Sequence, residues 1–523
     1  MSKVLNLFFI LSMGIPAIFG GLQGYPSFLS NFRNPLIIFT ILFFPLWSMN
    51  PAREWLQTFF EKPTDCLSDK KEKVFVFWIV IFFCLVYLKV AFLNYFSFQV
   101  SANDFSVYDY LIPETAWGRF MQSPACSYCN HFGVHSTPIL FLLYPVHRFF
   151  NSPLFFICLH PIVLALGSVP LIALTRLRIL APVHRVLVVI SYFFFAPLIT
   201  TLDYNFHIEI FYIPLGLSLI YFLEKQSWLK FAIIFLLYLA VKEDGAIYAS
   251  ALAGGALMSK MERPYKTKII WLTSLIVIAS LTFWLNSRVI LPRNRGPLEE
   301  GVKFWSKYGN TPIEILDSFL RNWGEILGLI VNGGWLKILG LVLWTPLFFL
   351  GTALPSLVFG LIHSTANAVQ VQKVDLYYAC PLIPFCFGGL IIFLSKNSLT
   401  KKTRSALVSG IVVLNLFFGE YLTFSQPNPK YKDFTAASQA MDLTKKICSQ
   451  GVFVPHLNYI HDLNLLSQRC LENKVDYFLI NEKLNPYPLR NSDVSNFINL
   501  LSSDSEYEKL DFGGFLVFRK KNP

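Results

Sequence analysis

Residues 231–257 read FAIIFLLYLA-VKEDG-AIYASALAGGAL. Two apolar arms, 231–240 and 246–257, flank the cluster Val241-Lys242-Glu243-Asp244-Gly245. The arms have the composition of membrane-embedded helices. Each charge near a bilayer centre costs about 2.5–3.5 kcal/mol on insertion scales. Three adjacent charges there must reach water, pair with one another or serve a polar cavity. The stretch therefore describes a membrane protein with a polar site, and the alternative use of the cluster is a buried salt bridge that staples two short helices.

The rest of the chain has the same character. Only 15% of its 523 residues are charged, against 54% hydrophobic, where a soluble domain carries about 25% charged residues. Fifty-two Phe and thirty Pro fit a polytopic helical protein with kinked or interrupted helices. The net charge of +12 falls in short loops between apolar runs, which is the positive-inside pattern. No basic stripe with interleaved aromatics occurs, so nucleic-acid binding is not expected. The stretch 4–22 resembles a signal peptide but lacks a small-x-small cleavage site and is followed by another apolar run, so it reads as an uncleaved helix.

A spanning helix needs roughly 20 apolar residues, and about thirteen segments qualify or come close. They are 4–22, 35–49, 74–95, 154–175, 186–200, 208–223, 229–242, 245–259, 269–287, 336–351, 353–363, 377–395 and 406–424. The expected fold is an all-α polytopic membrane protein of about 11–13 segments. Basic loops within 53–73, 176–185, 225–230, 260–268 and 396–404 all fall on the cytoplasmic side if the N-terminus is inside and 336–363 is a hairpin. The cytoplasmic membrane is then its location. The extracytoplasmic parts become 96–137, 201–207, 288–335, 364–376 and the tail. Three regions are expected: an N-terminal membrane hairpin with a basic loop (1–73), a transmembrane core (74–424), and a small extracytoplasmic α/β domain (425–523). The last has balanced charges, strand-like runs at 451–455, 475–480 and 514–518, and a helix-compatible stretch at 435–447.

Cys126 and Cys129 in the first outer loop, and Cys448 and Cys470 in the tail, fall in space where disulfides form, and are the disulfide candidates. Cys84, Cys158, Cys380 and Cys386 lie in apolar runs and read as core residues.

Chemistry-bearing residues concentrate on the outer side. Asp104 follows the third segment closely. It is placed to take a proton from an acceptor hydroxyl, to bind a divalent cation, or simply to cap a helix over 105–120. Asp109 lies about 140° further round that helix, so the two carboxylates need not share a face. Cys126, Cys129, His131 and His135 offer metal-ligand types at a spacing tighter than a zinc finger. A local disulfide leaves His135 free to line a cavity, and Gly133 argues against a regular helix through the two histidines. Asp203 and His207 are four apart and suit one helical face, either as a carboxylate–imidazole pair or as interfacial polar residues with Tyr204 as an aromatic anchor. Arg288, Arg293 and Arg295 follow the ninth segment, where they suit phosphate or a lipid headgroup.

Several of these motifs occur in a telling order: Asp104-Phe105-Ser106-Val107-Tyr108-Asp109; His135-Ser136-Thr137-Pro138; Phe206-His207-Ile208-Glu209; Val241-Lys242-Glu243-Asp244; and Tyr377-Tyr378-Ala379-Cys380-Pro381. In this the chain resembles the prokaryotic membrane family known as domain of unknown function 2079. The resemblance covers most of 96–395 and, more weakly, the tail through 452–457 and 475–480. That family's pattern has Asp-Leu-Gly in the first loop and a His before the Tyr of the last motif. Phe105-Ser106 and Tyr377 stand in those places here.

The family in turn resembles the GT-C class of membrane glycosyltransferases. The analogy implies a GT-C-like helical bundle, a polyprenyl-phosphate-linked sugar donor and a catalytic carboxylate in the first outer loop. It implies Asp104 as base or metal ligand, and Asp109 is the second catalytic candidate. It places His135, His207, Glu209, Glu243 and Asp244 about the donor or acceptor; Lys242 and Arg288 are expected near the leaving phosphate, and Tyr378 is a further substrate-binding candidate. A divalent cation, if used, would draw on Asp104, His131 and His135. These are expectations from fold-level analogy. The expected activity is transfer of a sugar from a lipid phosphate to an outer-side acceptor. The rival readings are a transporter or flippase of a lipid-linked substrate, which intramembrane charges and broken helices also suit, and a non-catalytic structural membrane protein.

Overall fold

The computed structural model describes residues 68–100, 104–123, 130–259, 265–294, 304–309, 312–418, 422, 424–457 and 459–521. The expected segments 4–22 and 35–49, and Cys126 and Cys129, lie outside these residues. Among those described, five helices are long and apolar enough to cross a membrane: Asp69–Phe96, Leu154–Leu177, Pro182–Asp203, Lys266–Asn294 and Leu376–Leu394. Six shorter apolar helices accompany them, including Trp228–Leu239, Gly245–Met258 and Leu350–Thr365. At 1.5 Å per residue a 12-residue helix is about 18 Å long, well short of the ~30 Å hydrocarbon core. The arms of the opening motif are therefore two half-length helices that meet at 240–244.

Prolines and left-handed residues explain where the apolar runs break. The run 336–351 is not one segment. It divides into helix Gly334–Gly340 and a 3-10 turn Thr345–Phe348, because Leu343 and Trp344 take φ of 54° and 57° and Pro346 lacks a backbone N–H. The expected hairpin at 336–363 is thus a broken turn feeding one helix, Leu350–Thr365. A helix at Leu140–Phe150 was not anticipated. The membrane helix after Tyr265 also runs on to Asn294, through a π-helical turn at Asn286–Ile290, so Arg288 and Arg293 belong to its end and not to a loop beyond it.

Small residues set the closest packing. Helix Gly245–Met258, sequence GAIYASALAGGALM, lies against both Leu350–Thr365 and Tyr265–Leu285. A Cβ at Gly255 would overlap the backbone carbonyl of Leu350. Without a hydrophobic force between helices in lipid, such close backbone approach is what holds the pair.

The C-terminal part is a five-stranded mixed sheet in the order β2-β1-β3-β5-β4. Its strands are β1 Ile447–Ser449, β2 Leu463–Leu465, β3 Tyr477–Ile480, β4 Tyr507–Phe512 and β5 Phe515–Lys520. β1 is parallel to β2 and β3, while β5 is antiparallel to β3 and β4. Alternation sorts the side chains. Leu479, Phe515 and Val517 face the cluster holding Phe434 and Phe453, whereas Phe478, Leu516 and Phe518 face that of Phe497 and Leu501. The runs 475–480 and 514–518 supply β3 and β5. The expected strand at 451–455 is instead a 3-10 turn, Gly451–His456, containing Pro455. The strand lies just before it, at β1, and the helix of this region ends at Gln439. Cys448 and Cys470 are joined in a disulfide.

This sheet domain is docked on the helical part. Phe98 and Tyr110 share its inner cluster. The Tyr95 hydroxyl donates to the Pro455 carbonyl at 3.1 Å, and the Asn428 N–H donates to the Phe96 carbonyl at 3.0 Å.

Candidate functional site

A cavity of ≈210 Å³ opens where the helical part meets the sheet domain. Its wall includes Asp104, Tyr108, His131, His135, His207 and Tyr377 from the helical part, and Tyr487 from the sheet domain. Apolar wall is provided by Val107, Leu111, Met121 and Val134.

Asp104 occupies the N-cap position of helix Phe105–Ala116, yet its side chain makes no capping bond. The carboxylate instead accepts from the Tyr204 hydroxyl. Burial raises the Asp104 carboxyl above its ordinary range, against the lowering effects of the Tyr204 bond and of His135 and Lys242. Asp104 thus holds the position of a cap without capping, and it lines the cavity.

Two imidazole–carboxylate pairs stand at the cavity. In the first, His135 Nδ1 and Glu243 Oε1 are 2.9 Å apart, and the other Glu243 oxygen accepts the Ser136 N–H at 2.9 Å. The Ser136 hydroxyl donates to Asn286 at 2.9 Å, so the π-helical turn also holds this loop. In the second, His207 Nδ1 is bonded to Glu209, whose other oxygen receives Lys242 Nζ at 2.7 Å. His207 Nε2 lies 3.3 Å from the Tyr108 hydroxyl. Tyr377 stacks on the His207 ring, with centroids 3.5 Å apart and planes within 5°. Asp244 accepts from Tyr212 at 2.5 Å.

Chain geometry explains these pairings. Lys242, Glu243 and Asp244 sit on the turn between two half-length helices, so their side chains fan out to three different partners. The backbone of Ile139 is tied to that turn by donating to the Ala240 carbonyl at 2.8 Å. His131–Val134 forms a single helical turn, in spite of Gly133. The His131 ring is bonded to Thr137 at 2.9 Å. Burial and the neighbouring His135 push the His131 pKa down to about 3.

The structure thus places Asp104, His131, His135 and His207 in the cavity wall, with Glu243 bonded to His135, Glu209 to His207 and Lys242 to Glu209, and Asp244 on the same turn as Lys242. It does not bring the remaining candidates there. Asp109 is fully buried elsewhere, accepting from Tyr459 at 2.7 Å and lying 3.7 Å from His147. Arg288 is exposed and outside the cavity wall. Tyr378 is reached only through Tyr377, whose hydroxyl donates to it at 3.1 Å. The Asp203–His207 pairing on one helical face does not form, because the helix ends at Asp203 and His207 is extended. Nor do Asp104, His131 and His135 assemble as ligands. Among the described residues no three of His, Cys, Asp and Glu form a metal-holding group.

Sequence reasoning missed Tyr108, Tyr204 as partner of Asp104, Ser136, Asn286 and Tyr487. Tyr377 carried a signal, since it stands where the resembling family has histidine. The others are common residue types whose role arises only from long-range contact.

The model of a family described as "Predicted membrane protein (DUF2079)" matches residues 94–508. No curated protein matches the chain.

Proposed function

The chain belongs to the DUF2079 family of predicted membrane proteins, and from that premise, which brings no activity with it, we propose that it is an integral membrane glycosyltransferase of GT-C-like architecture. Its donor is a sugar on a polyprenyl phosphate, and its site is the cavity beneath the sheet domain. One observation carries the reading: a carboxylate at a helix start, Asp104, forgoes the cap and turns to a cavity next to two imidazole–carboxylate pairs.

In this reaction the Asp104 carboxylate takes the proton of the acceptor hydroxyl. The acceptor oxygen bonds to the anomeric carbon, and the bond from that carbon to the phosphate oxygen breaks. The polyprenyl phosphate leaves with the electron pair. Burial favours this role, because a carboxylate with a raised pKa is a stronger base once ionised. Tyr204 orients the carboxylate, and Tyr487 helps to keep the site from bulk water.

The test begins with lipid extracted from the purified protein and identified by mass spectrometry. We expect prenyl phosphates enriched over bulk lipid, their glycosylated form accumulating in Asp104→Asn, and transfer abolished in that folded variant. Wild-type transfer by Asp104→Asn overturns the assignment. Enriched lipid with no transfer by wild type points instead to a carrier, and bulk phospholipid alone to a structural role.

For orientation we propose an N-terminus in the cytoplasm and the sheet domain outside. Basic loops support this, as does the Cys448–Cys470 disulfide, since such bonds persist in oxidising compartments. In intact cells expressing a variant without free cysteines, an impermeant thiol reagent should label Lys509→Cys and spare Lys225→Cys. The reverse pattern would invert the topology.

A further inference from the structure

Among the described residues the cavity wall holds no lysine or arginine. Lys242 is engaged by Glu209 behind it, and Arg288 is exposed elsewhere. Among the described lining residues the side chains able to carry positive charge are three histidines. His131 has Nε2 on Thr137 and is kept neutral by burial. His207 has both ring nitrogens in use, Nδ1 by Glu209 and Nε2 by Tyr108. His135 differs from both. Its Nδ1 faces Glu243, its side chain lines the cavity with 23% exposure, and Nε2 makes no hydrogen bond among the described residues.

A second, independent feature adjoins this histidine. The rings of Phe120, Phe132 and Phe141 form a triangle, each pair stacked with centroids 5.8–6.4 Å apart. Phe120 and Phe141 are 46% and 49% exposed. The trio adjoins the cavity wall: Phe120 precedes Met121, Phe132 follows His131, and the His131 N–H donates to the Met121 carbonyl at 2.7 Å. An exposed apolar patch beside a polar cavity fits a ligand with an anionic head and a hydrocarbon tail.

We propose that His135, held by Glu243, binds the phosphate of a prenyl-phosphate ligand through Nε2, and that the ligand's chain lies along Phe120, Phe132 and Phe141. This rests on the lipid-phosphate reading above and assigns its head and tail to named residues. Glu243 is the positioning residue, because it fixes the ring through two anchored oxygens. Phe141 and Phe120 provide apolar contact common to any prenyl chain.

The experiment uses the full chain in nanodiscs and three probes: farnesyl phosphate, farnesol and inorganic phosphate. Wild type should bind farnesyl phosphate at least about tenfold more tightly than farnesol, the worth of one charge-assisted hydrogen bond. His135→Ala should remove that preference and leave farnesol binding unchanged. His135→Gln, which keeps an N–H donor, should retain part of it. Phe141→Ala should weaken both prenyl probes by a similar factor. A phosphate preference that survives in His135→Ala overturns the head assignment alone. Unchanged binding in Phe141→Ala, or inorganic phosphate binding as tightly as farnesyl phosphate, overturns the tail assignment. A wild type that does not distinguish farnesyl phosphate from farnesol overturns the lipid-phosphate reading itself.

Discussion

Lys242 illustrates how one residue reconciles charge with a membrane setting. Its side chain is 12% exposed, and its ammonium sits 2.7 Å from an oxygen of the nearly buried Glu209 side chain. Breaking a buried ion pair by removing one partner typically costs about 3–5 kcal/mol, because the other charge is stranded. We expect Lys242→Met to lower stability by that amount in denaturant titrations in detergent. Adding Glu209→Gln should recover part of the loss, since an amide can still accept from His207. If the single and double variants are equally destabilised, the pair contributes no more than its separate contacts. The same scale separates Asp104 from Asp109. Both are acidic and five residues apart, yet one turns to the cavity and the other to Tyr459.

Among the elements, the Gly245–Met258 helix determines where the charged turn sits. Its small residues let it approach Leu350–Thr365 so closely that Gly255 meets the Leu350 backbone. Gly255→Ala should therefore push the helices apart, at a cost in the range of about 1–3 kcal/mol usual for overpacking. Gly328, in helix Trp323–Asn332, has open space where a Cβ would go. Gly328→Ala should be stabilising by about 0.5–1 kcal/mol through helix propensity. Thermal unfolding of the two variants checks both, and a shift of the same sign in each would refute the close-packing account. These half-length helices were legible as apolar runs, but their ends were not. Tyr212, for example, starts a helix only after a 3-10 turn over Ile208–Phe211, and no local signal in that apolar run distinguishes the two.

At the level of the whole molecule, the sheet domain is latched to the helical part by a buried polar network. The Tyr459 hydroxyl lies 2.7 Å from both Asp109 and His147. It links a strand-domain loop to helices Phe105–Ala116 and Leu140–Phe150. Tyr459→Phe leaves two buried polar groups without this partner, which costs about 1–3 kcal/mol. Hydrogen exchange should rise at Tyr431–Gln439 and Gly451–His456, while the membrane helices stay protected. Unchanged exchange there would mean that the apolar contacts of Phe98 and Tyr110 alone hold the domain. Because Tyr487 lines the cavity from this domain, loosening the latch also opens the site.

The sequence by itself determined the solvent and the broad parts. Apolar runs separated by basic loops specify membrane helices, alternation near the C-terminus specifies a sheet, and three charges in apolar sequence specify a polar site. These are local properties, set by composition and period over a few turns of chain. Only the tertiary structure decided which charges come together at the cavity. Asp104 meets Tyr204 across 100 residues, His135 meets Glu243 across 108, and Asp109 meets Tyr459 across 350. Such pairs depend on where helices break and how closely they pack. In a medium that does not solvate charge, each buried polar group takes the partner that the packing brings within reach.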